Sequence, residues 1–129
     1  MLRSLKVWLL RRYFGWKGAR TWRGRYTEAP FSTLQLPLRG RQLAARVYSS
    51  AAGKDLPLVI YFHGGGWVLG SLDTHHPYCQ QLRGQTGCTV VAVDYRLAPE
   101  HSCPAALDDC REAAQWLAQH LESTGPNNG

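Results

Sequence analysis

Five consecutive apolar residues, Leu58-Val-Ile-Tyr-Phe62, run straight into His63-Gly-Gly-Gly66. An apolar run this short is a strand buried on both faces, because a helix needs ten or more residues. Thr89-Val-Val-Ala-Val93 is a second such run and closes on Asp94. Between the two, the pattern predicts a helix over 75–83, stopped by Gly84 or Gly87. Beyond Pro99, Ser102 and Pro104 signal another helix start. Its apolar face is Ala105, Ala106, Cys110, Ala113, Ala114, Leu117 and Leu121. Strand, helix, strand, helix is a βαβα order, which predicts a parallel sheet with right-handed crossovers.

Upstream of Leu58 the period is two. Leu34, Leu36 and Leu38 alternate with polar neighbours, and so do Leu43, Ala45 and Val47 beyond Arg39-Gly40. That pattern predicts a β-hairpin, with Pro37 restricting its strand to a sheet edge. Residues 49–55 form a small-residue loop, and 123–129 are turn material. There is no internal repeat and no low-complexity tract.

Residues 2–16 fit a helix with Leu2, Leu5, Leu9 and Trp16 near one face. Residues 1–25 hold eight basic groups and no acid, whereas the rest holds seven basic against nine acidic. The net charge of +6 therefore belongs to this arm. Trp8, Trp16 and Trp22 sit among the cations. The arm is expected to pack its aromatics on the rest of the protein. The competing expectation is peripheral contact of residues 1–25 with an anionic membrane surface; no nucleic-acid partner is expected.

With 44% apolar and 19% charged residues, 129 residues suit one domain with one core. No apolar stretch approaches the ~18 residues of a membrane span, and Val7–Leu10 is too short for a signal peptide. Cys79, Cys88, Cys103 and Cys110 lack metal-ligand spacing. They read as reduced thiols packed as small hydrophobes, which places the chain in the cytoplasm. His75 and His76 beside Cys79 lack a third ligand, so no metal is expected.

Three glycines directly after a buried strand leave backbone N–H groups unshielded and able to turn inward as an anion site. Such a site cradles phosphate or stabilises the oxyanion of an acyl-transfer intermediate. A GxGxxG fingerprint from Gly64 needs glycine at 69, which is Leu69, and no Gly-Lys-Ser/Thr occurs. A purely structural glycine turn stays open.

His63-Gly-Gly-Gly-Trp67, Gly70-Ser71, Val93-Asp-Tyr-Arg-Leu-Ala-Pro-Glu100, Pro104-Ala-Ala and Asp109-Cys110 together resemble the hormone-sensitive-lipase family of α/β-hydrolase esterases and lipases. The resemblance runs from about Leu56 to Leu117. It implies a partial α/β-hydrolase fold, a mostly parallel sheet with an N-terminal β-hairpin and flanking helices. Residues 1–30 would be a basic arm and 31–129 the N-terminal portion of the hydrolase domain. It also implies a small-molecule ester substrate, a serine mechanism and no cofactor. Gly65 and Gly66 would donate N–H groups to the oxyanion, Gly64 would shape the turn and His63 would anchor it. Trp67 would pack beneath the loop near the acyl pocket. Asp94, Tyr95, Arg96 and Glu100 would hold the next loop, with Arg96 buried against a carboxylate.

The family's GxSxG nucleophile elbow is missing. Ser71 is flanked at that distance by Leu69 and Asp73, Ser123 by Leu121 and Gly125. His101 and Asp108 precede the point where the nucleophile belongs, so neither is a triad member. These 129 residues are expected to be a truncated or partial product, inactive alone and prone to self-association along the apolar strand 58–62. The alternatives are a non-catalytic module that binds anions or a partner, and a subunit completed by a second chain.

Overall fold

The computed structural model describes residues 2–22, 30–49 and 57–120. Three helices and four strands follow in the order α1 (Leu2–Trp22), β1 (Ser32–Leu38), β2 (Arg41–Tyr48), β3 (Val59–Tyr61), α2 (His76–Thr86), β4 (Val90–Val93) and α3 (Ala105–Gln119). The expected loop over 49–55 beyond Ser49, Leu121 and the tail lie outside the described residues.

The sheet order is β1-β2-β4-β3. β1 and β2 form the expected hairpin around Gly40, whose φ is +72°. Its register sets the buried Leu36 against Leu43. β1 pairs with β2 alone among the described strands, so Pro37 sits at an edge where its missing N–H costs no ladder bond. β2 then pairs antiparallel with β4, and β4 pairs parallel with β3. The sheet is therefore mixed, and its parallel part is the βαβ unit alone.

The continuous apolar run of β4 follows from its two covers. Val91 and Val93 face α3 with Leu36, Leu43, Ala45, Ala113 and Leu117. Val90 and Ala92 face α2 with Tyr48 and Cys79. Fully burying a valine or leucine contributes roughly 1.5–3 kcal/mol, so this strand is the spine of the core. α2 runs on through Gly84 to Thr86. It stops at Gly87, whose left-handed φ of 72° lets its N–H reach Arg83 O at 2.8 Å.

Two expectations are corrected. Trp8, Tyr13 and Trp16 of α1 do not pack on the body, each being more than half exposed, while the side chain of Trp22 lies outside the described residues. Among its described side chains the part-buried positions are Val7, Arg11 and Gly15, spaced by four, so the side turned inward is the one with least apolar bulk. Nor do all four cysteines pack inside. Cys79 and Cys88 are buried and Cys110 is half-buried, but Cys103 is exposed because it precedes α3 in a loop. All four are free thiols, and burial pushes Cys79 up to about 12. No helix among the described residues is long and apolar enough to cross a membrane.

β3 uses one edge on β4, and no described strand covers its other edge. Its Val-Ile-Tyr is uncharged and half-buried. An apolar, unblunted edge templates further pairing. Light scattering after size-exclusion chromatography is expected to show dimers or larger species. A clean monomer across micromolar concentrations would remove this expectation.

Candidate active site

The glycine loop leaves the carboxyl end of β3, the usual place for a site in an open α/β sheet. His63 is 5% exposed, and its ring stacks between Tyr95 at 4.4 Å and His75 at 5.3 Å. His63 Nδ1 lies 2.8 Å from Gly64 O, so the proton sits on Nδ1 and the ring ties down the turn. The Tyr95 hydroxyl donates to His63 O at 2.5 Å. His63 Nε2 is buried with no partner among the described residues. Burial, reinforced by the neighbouring His63, lowers the His75 pKa and favours its neutral ring.

The turn itself is closed by Gly65 O, which accepts from Leu69 N at 2.8 Å and from Val68 N at 3.2 Å. Gly65 sits at φ +137°, and a Cβ there would meet Leu69 O at 2.0 Å. Gly70 is needed for a different reason: a Cβ would come within 2.4 Å of His63 Nδ1. Gly66, at φ +63°, has open space where a Cβ would be. The N–H groups of Gly65 and Gly66 make no hydrogen bond among the described residues.

Two cavities flank the loop. One of about 480 Å³ is lined by Arg11 and Phe14 of α1 together with Gly64, Gly65, Gly70 and His75. Its described lining carries no carboxylate, so nothing there opposes a developing anion. The other, about 410 Å³ and mainly apolar, lies between Gly66, Trp67 and the loop bearing His101 and Cys103. Trp67 does not sit beneath the glycine loop. At φ +66° it projects outward, 55% exposed, with its ring centroid 6.0 Å from that of Tyr95 and the planes at 64°.

The loop after β4 is held at several points. Arg96 donates from its backbone N–H (2.9 Å) and from its guanidinium (2.9 Å) to Asp109, which is fully buried. Arg41 reaches the same carboxylate at 2.7 Å and also pairs with Glu112. Asp94 contributes its backbone N–H, bonded to Ala44 O at 2.9 Å. Glu100 receives Arg11 at 2.7 and 3.0 Å, and Arg11 also donates to Val68 O and Ala98 O. The hydrogen bond from Arg11 holds the Glu100 carboxyl below its ordinary range. Arg11 thus joins α1 to both loops, a role that none of the eight N-terminal cations signals in sequence. Asp108 lies apart at the surface, 3.5 Å from Arg111. No group of three metal-ligating side chains occurs among the described residues.

Residues 59–128 match the model of the alpha/beta hydrolase fold family. Lipase 2 of Moraxella sp. (strain TA144) is 48% identical over 77 residues, 60% of this chain and 18% of that protein. Esterase LipI of Mycobacterium tuberculosis is 49% identical over 75 residues, 58% of this chain and 23% of that protein. Among solved structures, the Pyrobaculum calidifontis esterase superposes with a TM-score of 0.85 at 40% identity, covering 95% of this chain and 41% of that one. This chain therefore spans about a fifth of the two curated relatives and two fifths of the solved esterase.

Proposed function

The chain belongs to the α/β-hydrolase esterase family, and from that premise we propose that it carries the oxyanion-binding part of a serine carboxylic-ester hydrolase. Gly65 and Gly66 are the donors. When a nucleophile adds to an ester carbonyl, the carbonyl oxygen takes up negative charge, and fixed N–H groups stabilise it without reorganising. The observation that carries this reading is that the N–H groups of Gly65 and Gly66 make no hydrogen bond among the described residues, on a turn held by His63, Tyr95 and Gly70, with Gly65 lining a cavity whose described lining holds no carboxylate. No GxSxG elbow occurs in these 129 residues, so the reading is confined to the oxyanion-binding part of the mechanism.

A graft tests this. Residues 57–117 would replace the matching segment of the Pyrobaculum calidifontis esterase, and hydrolysis of p-nitrophenyl butyrate would be followed. The graft is expected to turn over. Gly65→Ala should then lower kcat by about 10²–10³, the loss typical of a spoiled oxyanion donor, because its Cβ collides with Leu69 backbone. Gly66→Ala should cost less than tenfold, since it adds only about 1 kcal/mol of left-handed strain in open space. An active graft indifferent to Gly65→Ala would sink the assignment.

A further inference from the structure

The apolar stripe of α1 points away from the body that the same helix is fastened to. Val7, Arg11 and Gly15 turn inward, and Arg11 bonds the loops at Val68, Ala98 and Glu100. At 3.6 residues per turn, Leu5, Leu9, Tyr13 and Trp16 lie on the opposite side. They are 54%, 52%, 51% and 57% exposed. Cations border this ridge. The Arg12 guanidinium lies 5.0 Å over the Trp8 ring and Lys17 Nζ 6.0 Å over Tyr13. The helix has no acidic residue.

We propose that this face of α1 docks on an anionic phospholipid bilayer, lying in the plane of the headgroups. Charge complementarity selects the occupant. A second copy of the chain would bring one acid-free cationic helix against another, and like charges repel at such a contact. An anionic bilayer supplies negative charge at the headgroups and acyl chains beneath. Interleaved tryptophan, tyrosine, leucine and cations match both layers. Arg11 and Phe14 line the 480 Å³ cavity. Docking therefore sets its mouth about one helix diameter, ~10–12 Å, from the lipid surface. The docking itself does not depend on the esterase reading.

Vesicle flotation of the full 129-residue chain tests this, comparing phosphatidylglycerol–phosphatidylcholine vesicles with pure phosphatidylcholine at low and high salt. Preferential flotation with the anionic vesicles, weakened by salt, is expected. Lys6→Gln and Arg12→Gln should each weaken it about fivefold. Leu5→Asp with Leu9→Asp should abolish it, whereas Leu107→Asp, at an exposed leucine on α3, should leave it unchanged. Circular dichroism confirms that the variants keep their fold. Equal binding to neutral vesicles, or no binding, overturns the proposal. So does indifference to the double leucine change, or a lipid-free dimer that this change abolishes, which would assign the face to a second copy.

Discussion

Purified chain should release p-nitrophenolate from short p-nitrophenyl esters no faster than buffer does. An oxyanion site accelerates only a reaction in which something attacks the carbonyl, and these residues contain no serine in an elbow. Removing the nucleophile or its base from a serine hydrolase costs about 10⁶ in kcat. The chain should fall below a complete relative by at least that factor. The exposed thiol of Cys103, which lines the apolar cavity, offers a stoichiometric reaction of its own. An activated ester acylates a free thiol once, giving a burst of at most one equivalent that Cys103→Ser removes. Sustained turnover that survives Cys103→Ser and vanishes with a serine-reactive phosphonate would overturn the expectation.

Local patterns carried the hairpin, β4 and the position of the glycine loop, because alternation and short apolar runs report burial directly. The same logic misplaced the arm. A stripe of Leu5, Leu9 and Trp16 is real, but periodicity gives a face without saying which way it points. Arg11 turned the helix over, since its partner Glu100 lies 89 residues away and no local signal pairs them. α2 passes Gly84 and stops at Gly87, the second of the two glycines that can end it, and its Cys79 is buried against Tyr48, Val90 and Ala92 of the sheet. Tertiary contact of that kind outweighs the roughly 1 kcal/mol that Gly84 costs inside a helix. Within the site, the motif pointed to Gly65, Gly66 and His63. It could not show that Gly70 is required by the His63 ring, nor that Trp67 lies outside, because both depend on close approach across the turn.

The strongest single dependence of the fold should lie at Asp109. This carboxylate is fully buried and accepts from Arg96 and Arg41, tying α3 to the loop after β4 and to the hairpin. Asp109→Asn removes the charge and leaves two guanidinium groups facing one neutral amide. Breaking a buried pair costs ~3–5 kcal/mol. Arg41 and Arg96 remain 20% and 30% exposed and can rehydrate in part, which favours the lower end, about 3 kcal/mol. For a small domain that is a large share of total stability, so the urea midpoint followed by circular dichroism should fall steeply. A loss under about 1 kcal/mol would show that the cluster is dispensable. The pH dependence has a definite sign. Burial opposes ionisation of Asp109, but the bonds from Arg96 and Arg41 prevail and depress its pKa. Its contribution is therefore complete above the unfolded value of about 4 and drains away as pH falls from there through the folded value. The variant, having no proton to take up at this position, should lose that part of the acid sensitivity while being less stable at neutral pH.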